Sequence, residues 1–120
     1  MRVKKENAIT IKVLVKDSEG TIISDLATAT FVKFMVKETK TTPNAEAIIT
    51  KSIGDGLTID DPSTGYIKVV LTSVDTNISI GYYVMAIQIE YSPTNIQEIN
   101  LSEEGSTTDA FEIYQDIIRG

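Results

Sequence analysis

The sequence has no cysteine, no histidine and no tryptophan among its 120 residues. Without cysteine there can be no disulfide and no thiol nucleophile. Without cysteine and histidine the usual sulfur and nitrogen ligands of zinc are missing. Histidine is also the commonest general base near neutral pH. The hydrophobic fraction of 42% is still enough for one core without a disulfide or a metal ion. The lack of cysteine is typical of a reducing compartment.

Positive charge is scarce, with 11 basic and 17 acidic residues and a net charge of −6. Nucleic-acid binding needs clustered Lys and Arg, and the one cluster is Arg2, Lys4 and Lys5, so we expect no nucleic-acid partner. From position 69 onward Arg119 is the one basic residue. This half is either a solvated surface or a face that docks on a basic partner. Its eight acidic residues are Asp75, Glu90, Glu98, Glu103, Glu104, Asp109, Glu112 and Asp116.

Long apolar runs are also missing, since none approaches the 18 residues of a membrane span, and we expect no membrane partner. The basic start, residues 1–5, has some likeness to a signal peptide. However, the apolar stretch that follows is interrupted by Lys12 and Lys16, and no small-residue cleavage site follows it. We therefore interpret the N-terminus as part of the mature protein.

Motifs of catalysis are absent: there is no glycine-rich phosphate loop and no G-x-S-x-G. The neighbouring carboxylates Asp60 and Asp61 would point to opposite faces of a strand, which is poor geometry for shared acid–base work. We predict no enzyme, no catalytic residue and no cofactor. Asp55, Asp60 and Asp61 lie close together in a turn-rich stretch that could hold calcium, but acidic residues in turns more often cap backbone N–H groups, and we assign no metal ligand.

Carbohydrate binding would need exposed aromatic side chains, and aromatic residues make up 7% of the chain. At strand spacing most of these rings are expected to pack in the core or at sheet edges. Tyr66 and Tyr82 are the candidates for outer faces. A sugar site on these two residues is therefore an alternative function.

The dominant period of the hydrophobic residues is two, which indicates half-buried strands. Gly-containing turns fall at residues 17–20, 54–56 and 61–65. Short strands with turns about every ten residues predict one all-β domain over residues 8–120, an Ig-like antiparallel β-sandwich of about 7–8 strands. Residues 1–7 are predicted to be a flexible arm, because nothing in them must be buried. The alternating apolar series are Ile9, Ile11, Val13 and Val15; Val32, Phe34 and Val36; Ile67, Val69 and Leu71; and Tyr83, Met85, Ile87 and Ile89. In residues 30–37 the opposite face is mixed in composition, so the sequence leaves open which of the two faces is buried; its members are Phe31, Lys33, Met35 and Lys37.

Two segments are less regular. Residues 47–49 form a short apolar run that predicts a strand. Residues 109–119 suit either a strand, through Phe111 and Ile113, or one face of a helix, through Phe111, Tyr114 and Ile118. β-Branched and aromatic residues dominate the segment, so a strand is favoured.

Residues 71–85 have a pattern with a specific physical meaning. A strand ends at Leu71, a polar crossover follows, and Gly81 opens the next strand. Tyr83 then lies where a buried ring could direct its hydroxyl back to the crossover backbone, the tyrosine corner of immunoglobulin-like sandwiches. Met85 occupies the position where antibody domains have a cysteine, so the packing role survives there and the disulfide does not.

The order of strands and turns along most of residues 8–118 resembles the immunoglobulin-like modules of tailed-phage structural proteins. Among these it is similar to the N-terminal domain family of phage baseplate upper proteins. The matching segments are residues 17–20, 21–26, 29–34, 62–67, 71–83 and 111–113.

The resemblance implies a virion protein that is made and assembled in the host cytoplasm and binds neighbouring virion proteins, with no catalytic residues to carry over. Members of that family usually continue into further regions, whereas this chain stops at Gly120. We therefore expect a tail, neck or baseplate adaptor or accessory subunit, which could form a homo-oligomer in the assembled particle. The alternatives are a capsid decoration protein of the same fold and a bacterial surface or carbohydrate-binding module.

Overall fold

The structure is a computed structural model that describes residues 2–16, 21, 26–61, 65–100 and 110–115. Within these residues the chain is all-β, with nine strands and two single turns of 3-10 helix at Leu26–Thr28 and Asn44–Glu46. The strands are β1 (Arg2–Lys4), β2 (Ile9–Leu14), β3 (Phe31–Lys37), β4 (Ile49–Ile53), β5 (Gly56–Asp61), β6 (Tyr66–Leu71), β7 (Gly81–Ser92), β8 (Asn95–Asn100) and β9 (Ala110–Tyr114).

All nine strands belong to one mixed sheet that curls nearly into a barrel. Its strand order is β1-β9-β7-β3-β4-β5-β6-β2, and β8 pairs with the second half of β7 beyond β9. Two groups of neighbours stand out, β2-β6-β5 and β9-β7-β3-β4, and the short parallel contact between β4 and β5 joins them. β2 and β3 follow each other in the sequence but lie far apart in the sheet, because β2 pairs with β6, which is distant in the sequence.

The inner side of this curled sheet holds the hydrophobic core. The alternating apolar series of β2, β3, β6 and β7 face this core, and all their members are buried except Ile9, which is partly buried. This confirms the predicted inner faces of β2, β6 and β7, and it shows that Val32, Phe34 and Val36 of β3 belong to the core. Phe34, Phe111 and Leu26 are among the largest side chains that are fully buried. Burying one such side chain contributes about 2–3 kcal/mol relative to leaving it exposed. Because side chains alternate along a strand, polar residues such as Lys12 and Lys68 lie on the outer, exposed side.

The sheet is not purely antiparallel, and it has one strand more than the upper predicted number. The contacts of β1 with β9 and of β4 with β5 are both parallel. The additional strand is β1, in which Val3 is 2% exposed and pairs with Ile113. This differs from the flexible arm predicted for residues 1–7. The physical reason is that Val3 closes the core beside β9, at the opposite end of the chain, which no local pattern encodes.

Smaller differences concern the ends of strands. The strand predicted at residues 47–49 begins only at Ile49, because the helical turn Asn44–Glu46 occupies the preceding loop. The last segment is a strand over Ala110–Tyr114, as favoured, and residues 116–119 lie outside the described residues. The turn predicted at residues 17–20 also lies outside them, as do residues 62–64 of the turn predicted at 61–65.

The predicted turn at residues 54–56 is present, and Gly56 shows why glycine is needed there. Its φ is +88°, a conformation that L side chains rarely adopt. A Cβ built on Gly56 would lie 3.2 Å from the carbonyl oxygen of Val70 on the neighbouring strand β6. Glycine thus permits both the sharp turn and the close approach of β5 to β6.

Candidate interaction surfaces

The crossover between β6 and β7 is held in place by a hydrogen bond from Tyr83. Tyr83 is 8% exposed, and its hydroxyl donates a hydrogen bond to the carbonyl oxygen of Ser79 at 2.6 Å. Burial, together with the negative charge of Glu38, raises the pKa of the Tyr83 phenol, so the donor remains protonated. The hydroxyl thus bonds back to the crossover backbone, as the sequence predicts.

The same crossover holds the N-terminal segment in place. The fully buried Thr76 donates its hydroxyl to the carbonyl oxygen of Asn7 at 2.8 Å. The ammonium of Lys5 donates to the carbonyl oxygen of Ile78 at 2.7 Å. Between them, Glu6 has a φ of +67°, which is uncommon for a residue other than glycine and is stabilised here by these flanking bonds. The crossover therefore positions β1 against β9.

The start of the crossover is a reciprocal cap between Thr72 and Asp75. The backbone N–H of Thr72 donates to the Asp75 carboxylate at 2.7 Å, and the N–H of Asp75 donates to the Thr72 hydroxyl at 3.2 Å. Lys51 on β4 forms an ion pair with the same carboxylate at 2.8 Å. Partial burial alone would raise the pKa of Asp75, but Lys51 and Thr72 outweigh this and hold its pKa below the usual range.

We expect Asp75→Asn to lower the free energy of unfolding at pH 7 by about 1 kcal/mol, because the ion pair is lost and the cap is weakened. The folded-state pKa is depressed, so the contribution of Asp75 is complete above the ordinary carboxyl pKa and is lost as the pH falls through the lower folded value. Urea unfolding of both proteins at several pH values measures this. The two stabilities should converge in acid, and a difference independent of pH would contradict the assignment. In a Lys51→Met background the same substitution should cost less.

One outer surface lies where β1, β9 and the start of β7 run side by side; we call it the Tyr82 face. The register places Tyr82 opposite Glu112, and Glu112 in turn beside Arg2. One pair further along, Tyr114 lies beside Lys4. Ile80 directly precedes the Gly81–Ile113 pair at the start of β7. The Tyr82 face therefore consists of Arg2, Lys4, Ile80, Tyr82, Glu112 and Tyr114.

The Tyr82 face is exposed, aromatic and internally ordered. Tyr82 is 76% exposed and Ile80 is 58% exposed. Arg2 donates through Nε to Oε1 of Glu112 at 2.9 Å, and its guanidinium carbon lies 4.2 Å from the centre of the Tyr114 ring. An arginine held over a tyrosine ring beside exposed apolar side chains is the composition enriched at the centres of protein interfaces. These groups are suited to contact with a protein surface or with a ligand that stacks on aromatic rings, such as a sugar.

A second outer surface lies on β2 and β6, where Lys12 pairs with Lys68 across the strands. The Lys12 ammonium lies 4.6 Å from the centre of the Tyr66 ring, a cation–π contact. Tyr66 is half-buried beneath this lysine, whereas Tyr82 stands out in solvent. Of the two tyrosines predicted for outer faces, Tyr82 is therefore the better candidate for a contact residue.

The sheet also has strands with one neighbour only. In the described part of the chain β2 pairs with β6 alone, β8 pairs with β7 alone, and β1 pairs with β9 alone. An edge of this kind presents backbone N–H and C=O groups that can accept a further strand. β2 and β8 are the longer edges, at six residues each.

The acidic residues do not gather into a site among the described residues. No group of three His, Cys, Asp or Glu side chains lies close enough to hold a metal ion there. Asp75 is engaged by Lys51 and Glu112 by Arg2. The side chains of Asp60 and Asp61 lie outside the described part of the structure, so the calcium interpretation of residues 55–61 stays a prediction.

Sequence reasoning found Tyr82 and Tyr83 but missed Arg2 and Tyr114 as partners. The alternation of Phe111 and Ile113 with Glu112 and Tyr114 was a usable signal for Tyr114.

No helix among the described residues has both the length and the apolar character needed to cross a membrane. In comparisons with known proteins, no family model and no curated protein matches the chain.

Proposed function

We propose that this chain is an immunoglobulin-like β-sandwich and serves as a non-catalytic structural subunit of a tailed-phage virion. In this proposal it is an adaptor or accessory protein of the tail, neck or baseplate that binds neighbouring virion proteins. The proposal draws on the sequence resemblance stated above and on the surfaces of the fold. It includes no cofactor, no nucleic-acid partner and no membrane partner.

The pairing of strands is what supports the immunoglobulin-like arrangement. Two-layered sandwiches of that kind place their second, fifth and fourth strands in one sheet and their third, sixth and seventh strands in the other. If β2 is taken as the second strand, β6 and β5 follow as the fifth and fourth. β3, β7 and β9 then correspond to the third, sixth and seventh. The hydrogen bond from Tyr83 to Ser79 lies at the corner where such sandwiches have their tyrosine.

The Tyr82 face is the observation that carries the binding role. It lies on three paired strands, so its side chains are presented by a rigid backbone, and Arg2 is already oriented by Glu112. A preorganised face loses little side-chain entropy when a partner docks on it. A neighbouring virion subunit is therefore the proposed occupant of this face.

The test is incorporation into particles. Virions purified from a culture that produces them should contain the chain at a fixed ratio to the tail proteins, measured by quantitative mass spectrometry. Gold labelling of a tagged copy should mark the tail, neck or baseplate. Label on the capsid would favour the decoration alternative, and particles free of the chain would contradict the proposal.

We expect Tyr82→Ala to reduce incorporation about tenfold or more, as the loss of a central tyrosine of an interface costs about 2 kcal/mol. Val74→Ala is the control, because Val74 is equally well exposed but lies in the crossover, outside the Tyr82 face. Competition between each variant and the wild-type chain in the same assembly gives the ratio directly. Equal incorporation of the two variants would show that partners bind elsewhere.

A second candidate function, carbohydrate binding, is favoured by one observation. An exposed tyrosine ring beside an ordered Arg–Glu pair offers a stacking surface together with hydrogen-bonding groups, which is what a sugar ring requires. A glycan array probed with the wild-type chain and with Tyr82→Ala tests it. Saturable binding that the variant loses would support this candidate over the virion proposal.

A further inference from the structure

We infer that the β2 edge of one copy pairs with the β8 edge of the next copy, joining subunits head to tail through a continuous sheet. This inference rests on the proposed role as a virion subunit and names one of its partners, a second copy of this chain. It is carried by the direction of the β2 backbone groups, by the matched lengths of the two edges and by their opposite charges.

The direction of the backbone groups of β2 follows from one hydrogen bond. The N–H of Val15 donates to the carbonyl oxygen of Gly65 at 2.9 Å, on the β6 side. In an antiparallel ladder hydrogen-bonded and non-hydrogen-bonded pairs alternate, so Ile11 and Val13 also direct their N–H and C=O groups towards β6. Thr10 and Leu14 direct theirs to the other side. Those groups face the open edge, where no described strand lies.

The β8 edge matches β2 in length. It is six residues long, Asn95–Asn100, and in the described part of the chain β7 is its one neighbour. Residues 95–97 are exposed, including the apolar Ile96. Six paired residues give a ladder about 20 Å long. Among the described residues each copy therefore has two six-residue edges, β2 and β8, that can each accept one strand.

The charges of the two edges favour pairing of β2 with β8 over pairing of either edge with itself. From Ile9 to Lys16 the chain has two basic residues, Lys12 and Lys16, and no acidic one. β8 has one acidic residue, Glu98, and no basic one. Pairing β2 with β2, or β8 with β8, would bring like charges together across the new ladder, which is unfavourable. Pairing β2 with β8 brings opposite charges together.

A contact between two different edges does not close on two copies. Repetition of it gives a ring or an open chain of subunits. A single edge-to-edge ladder is small compared with a stable protein interface, so the association is weak in free solution. Copies that are already held on a particle would associate much more strongly, because their effective concentration is high.

The first experiment measures mass by sedimentation velocity from about 1 μM to about 1 mM in low salt. The weight-average mass should rise with concentration for the wild-type chain and for Thr10→Ala. It should stay at the monomer value for Thr10→Pro, because proline removes an N–H that faces the open edge and not one that bonds to β6. Thermal unfolding of Thr10→Pro checks that the fold is retained.

The second experiment exchanges the charges and does not depend on proline. Lys12→Glu and Glu98→Lys should each raise the dissociation constant about tenfold, and the double variant should restore it, since the opposite charges then meet again. A wild-type chain that is monomeric throughout, a Thr10→Pro variant that folds and still associates, or a double variant as weak as the single ones would overturn the inference. Incorporation into virions is measured separately, so the proposed function can survive such a result.

Discussion

Val3→Asp lowers the free energy of unfolding by about 3 kcal/mol or more, because it places an unpaired carboxylate in the core. Val3 is 2% exposed and pairs with Ile113 of β9. If residues 1–7 were a flexible arm, the substitution would have almost no effect. Urea unfolding followed by tyrosine fluorescence or circular dichroism measures the difference.

The control for this prediction is Ala8→Asp, which adds the same charge at an exposed position between β1 and β2. It should change the free energy of unfolding by less than about 0.5 kcal/mol, as is usual for surface substitutions. Equal, small effects of the two variants would contradict the placement of β1 in the sheet.

Tyr83→Phe removes one hydroxyl and is expected to lower the free energy of unfolding by about 1 kcal/mol. The carbonyl of Ser79 loses the hydrogen bond that it accepts at 2.6 Å, and the crossover is no longer tied to the start of β7. Tyr82→Phe removes the same group from the neighbouring, 76% exposed tyrosine and should be nearly neutral. Thermal or urea unfolding of both proteins gives the comparison. A loss of stability in Tyr82→Phe that matches the loss in Tyr83→Phe would contradict the role of the corner.

The buried faces of the strands could be predicted because the sequence encodes them locally. The alternation of Tyr83, Met85, Ile87 and Ile89 with other residues indicates a strand with one buried face, and these four residues form the inner face of β7. The tyrosine corner was also predictable, since Gly81 and Tyr83 stand next to a polar crossover. Residues 71–85 contain all the information that this feature needs.

The place of the N-terminal strand could not be predicted in this way. Val3 is a single apolar residue between Arg2 and Lys4, so it forms no periodic pattern. Its burial depends on β9, more than 100 residues further along the chain, and on the hydrogen bond from Thr76 to Asn7. Such long-range contacts have no signal in a local window.

The outer side of β3 was equally hard to read. Met35 and Lys37 alternate with the core residues on a face of mixed composition, for which the sequence left burial open, and both are buried. The helical turn Asn44–Glu46 packs against β3 on this side, and the Lys37 ammonium donates to Oδ1 of Asn44 at 3.0 Å. A polar loop that packs on a sheet resembles, in sequence, a loop that is fully solvated.

The candidate surface was predictable in part. Tyr82 follows from its position on the outer side of β7, and its exposure agrees with this. Arg2 and Tyr114 join it only because β1 and β9 are paired in parallel, so the Tyr82 face depends on the same contact that the sequence did not reveal. The proposed binding role therefore depends on the topology of the sheet more than on any single motif.

The most direct test of this account is the pairing of β2 measured by NMR. In non-hydrogen-bonded antiparallel pairs the two α-protons lie close together, because the Cα atoms are about 4.5 Å apart. If β2 pairs with β6, strong Hα–Hα NOEs are expected between Lys12 and Lys68 and between Thr10 and Val70, which are distant in the sequence. Hα–Hα NOEs from β2 to β3 instead would mean that these sequence neighbours form a simple hairpin, and both the immunoglobulin-like arrangement and the open β2 edge would be wrong.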